Sequence, residues 1–396
     1  MLRYLGFFLH ETAFGFLSIF FPLYVIIIGG SPIDLGIMSM SALLSAILFS
    51  FFWGYLCDKL KRYKLFILLS FLSISIILYL FTFIRSITLF TILYVLLSVF
   101  HIAHEAPKNV MISETYTYEE WVEAFAFYEA FTEIGWTVGL LLGFLASIYG
   151  FNAENMLLVC SLLNLSAFAT SIFFVNDPHI LIERGLVRIE RFISFVCRGV
   201  TVLTKSLYGI PVSGKLRREN IYGFCVGLTL FMFATSVLFT PLPIIFSRNL
   251  FASVSGVFAI FILNSLGGVV GYLMAWIKSQ WTIGENRMGG IVAFRSALTL
   301  LMILAIRVPA YNITFVTLIL TLMGFAYAVF YVYTLSTSMG LLSEGEAGLF
   351  NTVIGIGNAL GSFIGPYLAK TLEFTYVLLA SGIIFLASSI ILKLST

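Results

Sequence analysis

Long runs of Leu, Ile, Val and Phe, each closed by a short polar cluster, set the pattern of this chain. The runs are continuously apolar. They do not alternate between polar and apolar residues, as the strands of an outer-membrane barrel do. About 20 consecutive apolar residues cross the hydrocarbon core of a bilayer as an α-helix. Twelve runs predict such spans, at roughly 4–29, 35–56, 64–84, 87–112, 122–148, 154–176, 219–246, 252–277, 288–306, 311–334, 346–369 and 373–393. One long polar interval divides them six and six. The expected organisation is an N-terminal six-helix bundle over 1–176, a linker over 177–218 and a C-terminal six-helix bundle over 219–396.

Composition narrows the class. Of 396 residues, 60% are hydrophobic and 10% are charged, against about 45–50% and about 25% in a soluble domain. A water-facing surface needs the missing charge, and disorder needs low hydrophobicity. The reading is an all-α polytopic membrane protein. Cys57, Cys160, Cys197 and Cys225 have no spacing that suggests a metal site or a disulfide framework, and are expected to pack as small apolar fillers. The first run is long, carries His10 and Glu11, and lacks a small-residue cleavage site, so no signal peptide is expected.

Charge placement predicts orientation. With the N-terminus inside, sixteen of the 22 Lys and Arg fall in cytoplasmic segments; Arg85, Arg248, Arg307 and Lys370 fall outside, and Lys108 and Arg295 within spans. Positive residues mark the cytoplasmic side, so both termini are expected there. In the linker, Arg184, Arg188, Arg191, Arg198 and Lys205 share one helical face, with Ile182, Val187, Ile189, Ile193, Val196 and Val200 on the remainder. That is the pattern of an interfacial helix on anionic lipid headgroups. No nucleic-acid partner is implied, and a monomer is expected.

The halves repeat. "GYL" occurs at 54–56 and 271–273. "GWTVGLLLG" places glycines at 135, 139 and 143, and "GNALGSFIG" at 357, 361 and 365. Similar offsets at matching spans predict a duplicated six-helix unit. Glycines four apart let helix backbones approach closely, and are expected to meet the opposite half.

Twelve spans, a basic central loop and duplicated halves resemble the major facilitator superfamily. "GYLCDKLKRYK" is similar to that family's signature after span 2, G-x-L-x-D-R-x-G-R-R: Gly54, Leu56, Asp58 and Arg62 match, and Lys59 stands for the first Arg. Lys61 replaces the second Gly and Tyr63 the last Arg, and the second half has Ala275 where Asp would fall. The resemblance implies two pseudo-symmetric bundles and alternating access in the cell (plasma) membrane, with no enzymatic activity and no cofactor. It implies a cavity lined by spans 1, 4, 7 and 10. It also implies a cytoplasmic latch at Gly54, Asp58, Lys59 and Arg62, with Asp58 near Gly345 to Gly348. The drug/proton antiporter pattern is not met, since Leu140 follows Gly139 and Tyr94 stands where a basic residue is usual.

Candidate chemistry centres on "FHIAHEAPKNV", residues 100–110. His101, His104, Glu105 and Lys108 fall at i, i+3, i+4 and i+7, one face of a continuous helix. Charge at mid-membrane costs about 2.5–3.5 kcal/mol, so this face must meet water or partners. Span 1 adds His10 and Glu11, and span 5 adds Glu129 and Glu133. At a rise of about 1.5 Å per residue, Glu11, Glu105 and Glu129 lie about 10 Å from the cytoplasmic end, one layer suited to taking up and releasing protons. Lys108 is expected to pair with Glu105 or Glu129. In the second half Tyr327, Tyr331 and Asn264 offer a neutral wall for substrate, Arg295 is expected to snorkel to the cytoplasm, and Pro241 and Pro243 mark an outer gate. The sequence therefore predicts a proton-coupled transporter of a small organic or drug-like solute. The alternative is a divalent transition-metal transporter using His10, Glu11, His101, His104 and Glu105. "HEAPK" is not the zinc-protease motif, because Lys108 takes the place of its second His.

Overall fold

The computed structural model describes residues 4–113, 121–177, 221–249, 253–277, 288–306, 312–341 and 347–395. Over these residues the secondary structure is helical. Leu5–Ile27 forms α1, Pro32–Leu60 α2, Tyr63–Phe81 α3, Ile87–His101 α4, Glu105–Ser113 α5, Trp121–Ile148 α6 and Ala153–Phe174 α7. Ile221–Phe239 forms α8, Leu242–Asn249 α9, Val254–Ile277 α10, Met288–Ile306 α11, Asn312–Leu341 α12, Ala347–Thr371 α13 and Phe374–Ser395 α14. Among the described residues eleven stretches are long and apolar enough to cross a membrane; the twelfth expected run, 346–369, folds as α13. Outer faces are lipid-like: Leu48 is 70% exposed, Phe173 75% and Ile277 73%, which water would penalise and hydrocarbon does not.

α1 lies against α6 and α7, α3 against α7, and α4 against α2 and α3. Further along the chain α8 lies against α13 and α14, α11 against α14, and α12 against α10 and α11. The two sets meet where α6 packs on α10 and α2 on α13. Hydroxyls stitch the seams, as suits a lipid environment where polar groups must bond internally. Ser75 donates to the Ser161 carbonyl at 2.9 Å, joining α3 to α7. Ser296 donates to the Gly382 carbonyl at 2.7 Å, joining α11 to α14. Ser296 and Gly382 each lie 221 positions after their counterparts.

The glycine rows serve their own halves. Gly135 and Gly139 of α6 face the carbonyls of Phe8 and Thr12 in α1; Gly357, Gly361 and Gly365 of α13 face those of Thr229, Phe233 and Val237 in α8. A Cβ at any of the five would run into backbone. The expectation of contact with the opposite half is thereby corrected for these five. Gly143 is the one of the six that reaches across, against the Phe258 ring of α10.

Two expected spans are broken, for the same reason. Span 4 is not one helix: residues 102–104 form a 3-10 turn between α4 and α5. Pro107 has no N–H for the Ala103 carbonyl and its ring crowds that turn. Span 7 turns at Thr240 and Pro241 before α9, which lies against α1 and α10. α2 begins with a capping box between Ser31 and Asp34, with Pro32 at its first position. It ends at Lys61, whose φ of 52° is left-handed. Lys61 stands where the signature has Gly, the residue that takes this conformation without strain. The linker helix over 177–218 lies outside the described residues apart from Asp177, and so do the Asp58 side chain and residues 342–346 of the expected latch contact.

Candidate functional site

The broken span 4 gathers three histidines. His10 is wholly buried, with Nδ1 2.7 Å from Asn164 Oδ1 of α7 and Nε2 3.0 Å from His101 Nδ1. The Asn164 amide donates to the Cys160 carbonyl at 3.0 Å, which leaves its oxygen as acceptor. His10 therefore donates from Nδ1, and when neutral accepts at Nε2 from the Nδ1–H of His101. His104 is also fully buried, with Nδ1 3.2 Å from the Ser70 hydroxyl of α3. Its Nε2 lies 3.4 Å from Glu105 and finds no hydrogen-bond partner among the described residues. The imidazole centroids of His10 and His101 are 5.1 Å apart, and those of His10 and His104 4.7 Å.

The run continues into carboxylates. Lys108 Nζ donates to Glu105 at 2.5 Å and lies 5.2 Å from the Tyr128 ring of α6. Of the two acids open to Lys108 in the sequence, the structure chooses Glu105, on the same turn of α5. Glu11, Glu105, Lys108 and Glu129 act on one another electrostatically, so α1, α5 and α6 contribute to one charged layer. Glu133 goes elsewhere: it accepts a hydrogen bond from Ser265 of α10, and Ser265 also lies 2.8 Å from the Thr137 hydroxyl. This acid sits on the seam between the two helix sets. Adjacent residues also part company. His10 turns toward α7, while Glu11 faces α6 beside Gly135.

Ligand atoms of His10, His101 and His104 lie within 4.8 Å of one another. The donors suit a transition metal in kind. In this arrangement, however, His10 already uses both nitrogens, and a lysine cation lies beside Glu105. The geometry fits a hydrogen-bonded run better than a metal centre.

The second half adds a contact for Asn264 and corrects the expectation for Arg295. The Asn264 amide donates to the Leu320 carbonyl at 2.6 Å, and Gly324 lies against it, so it fastens α10 to α12. Arg295 does not snorkel. It is 1% exposed, and its guanidinium carbon lies 5.1 Å from the Phe231 ring, 5.4 Å from Phe239, 5.1 Å from Tyr327 and 5.2 Å from Phe385. Tyr327 and Tyr331 stack with centroids 6.0 Å apart, and Glu129 lies within electrostatic reach of both and of Tyr272. Sequence reasoning missed Asn164, Ser70, Tyr128 and Ser265. Of these, the carboxamide of Asn164 in mid-span was the legible signal; serines and tyrosines are too common in the chain to stand out.

Comparison with known proteins extends this description. The sequence profile described as Major Facilitator Superfamily matches residues 3–349. No curated protein matches the chain. Among solved structures, the xylose transporter XylE from E. coli, in a partially occluded inward-open conformation, superposes with a TM-score of 0.68 at 14% identity, covering 98% of this chain and 96% of that one. The nucleoside transporter NupG gives 0.64 at 12% identity, over 100% and 98%. The human organic anion transporter MFSD10 gives 0.63 at 18% identity, over 100% and 97%. At these identities the likeness is one of fold.

Proposed function

The chain belongs to the Major Facilitator Superfamily, and from that premise we propose a secondary active transporter that couples protons to the movement of a small organic solute across the cell membrane. Two six-helix units, 1–176 and 219–396, rock about a shared site. The recurring helix pairings and the stitches shifted by 221 positions support this division. The basic residues near Asp58, and both termini, lie on the cytoplasmic side, where the 54–62 loop latches the outward-facing state.

The observation that carries proton coupling is the run Asn164–His10–His101, with His104 and the Glu105–Lys108 pair beside it. His10 and His104 are fully buried among the helices, and each imidazole can pass a proton by exchanging donor and acceptor roles. Glu105 stands between the histidines and the carboxylate layer. It releases Lys108 when it is protonated, which changes what α5 presents to α6.

The test uses purified protein. Xylose, uridine and benzoate are first screened for a rise in melting temperature at pH 5.5 and 7.5. The solute that binds is then followed into proteoliposomes under a pH gradient. Glu105→Gln is expected to lose gradient-driven accumulation and to keep exchange at equal pH. Accumulation that survives in Glu105→Gln assigns this residue a structural role. Wild-type flux that ignores collapse of the gradient by a protonophore overturns the coupling itself.

A second reading, transition-metal transport, rests on the three clustered imidazoles alone, although both His10 nitrogens are already in hydrogen bonds. A melting-temperature rise with zinc that His104→Ala removes would select it over the first.

A further inference from the structure

Arg295 is a buried cation with no carboxylate in salt-bridge contact among the described residues. It lies in α11, packed among α8, α12 and α14. Nε and Nη1 are buried and find no acceptor among the described residues. The acids of residues 221–395 are Glu285, Glu344, Glu346 and Glu373. Glu373 is in the turn between α13 and α14; the other three lie outside the described residues, Glu285 and Glu344 between expected spans and Glu346 at the first position of the span expected over 346–369. Arginine does not shed its proton in proteins. Four ring faces offset part of the cost of burying it, but rings accept no strong hydrogen bond. If α8, α11, α12 and α14 needed only filling, an apolar side chain would do so without that cost. A retained charge of this kind in a membrane marks a functional group.

The surroundings indicate how a solute reaches it. Tyr327 forms one wall of the cage and stacks on Tyr331. Tyr331 packs with Ala126 and Ala130 of α6, on the seam between the two helix sets. Arg295 and Glu129 both act on Tyr327 from their own sides. One wall of the cage therefore belongs to the surface that alternating access would expose.

We propose that Arg295 receives the anionic group, a carboxylate or a phosphate, of the transported solute, and that Phe231, Phe239, Tyr327 and Phe385 hold the apolar or aromatic remainder beside it. The proposal rests on the transporter reading and narrows its substrate to an organic anion.

Binding to the full-length protein in detergent tests it, with benzoate, phenyl phosphate and the neutral benzamide as probes. At least one anion is expected to raise the melting temperature while benzamide does not, and the stronger anion names the group. Arg295→Met is expected to weaken that anion at least tenfold, and Arg295→Lys to weaken it less. Should Arg295→Met fail to fold, the wild-type comparison of benzoate with benzamide still decides. The proposal is overturned if benzamide acts as strongly as the anions, if neither anion acts, or if folded Arg295→Met keeps the anion shift. Glu105→Gln is expected to keep the shift, so failure of proton coupling leaves this result standing. Gradient-driven xylose or uridine flux that persists in Arg295→Met sinks this proposal and spares the coupling.

Discussion

The interiors of the two halves differ in chemistry while sharing a frame. In residues 4–177 the helices close around His10, His101, His104 and Asn164; in 221–395 they close around Phe231, Tyr327, Phe330 and Phe385. Phe231 follows His10, and Phe385 follows Asn164, by the same 221 positions. His10 touches His101 and His104 with centroids 5.1 and 4.7 Å apart; Phe231 touches Tyr327 and Phe330 at 6.2 and 3.9 Å. One interior carries imidazoles and a carboxamide linked by hydrogen bonds. The other is aromatic and encloses a single guanidinium. The contrast teaches that helix packing fixes distances between positions and leaves the chemistry at those positions free. This difference is what the proposed division, coupling in one half and recognition in the other, would use.

The most severe way to break the contrast is to write one interior into the other. His10→Phe orphans Asn164 and His101. Gradient-driven flux is expected to fall about 100-fold, the scale of a lost proton-transfer group, with a loss of about 1–3 kcal/mol in stability from unpaired buried polar atoms. Transport assays and thermal melting read the two effects separately, and undiminished flux would remove this run from the proton path.

The shared frame can be attacked next. Gly139→Leu meets the Thr12 backbone and Gly361→Leu meets that of Phe233, so each is expected to cost about 1–3 kcal/mol by overpacking. Gly143→Ala meets only a phenyl ring and should cost less. Equal melting temperatures for all three would show that the rows are not close-packed.

The seam between halves gives a smaller effect. Ser265→Ala removes the donor to Glu133 and the contact with Thr137, at about 1 kcal/mol. A double-mutant cycle of Ser265→Ala with Thr137→Ala should show coupling; additive losses would deny it. The smallest effect is expected at Lys61, where Lys61→Gly relieves the left-handed backbone and should stabilise by up to about 1 kcal/mol. A drop in melting temperature would mean that the lysine side chain holds the loop.

Much of the scaffold was legible in the residues themselves. Apolar run length marks a span because hydrocarbon thickness and helical rise are constants. Pro107 and Pro241 lie at the breaks, where proline lacks an N–H, but Pro22 and Pro366 sit inside unbroken helices, so proline alone does not locate a break. The glycine rows mark close approach, though not the partner. The candidate site was legible in part: spacing put His101, His104, Glu105 and Lys108 together, and the structure keeps them together around the 3-10 turn.

The sequence by itself determined where the apolar runs lie and which of them carry charge, because each depends on a few neighbouring residues and on the solvent around them. Only the tertiary structure decided which face meets which helix. His10 and Glu11 are adjacent in the chain, yet one bonds to α7 and the other faces α6. Asn264 is spent on a helix seam, and Arg295 is drawn inward among rings contributed by α8, α12 and α14. Those outcomes depend on surfaces distant in sequence, and a buried charge is stabilised or stranded according to what the neighbouring helices present to it.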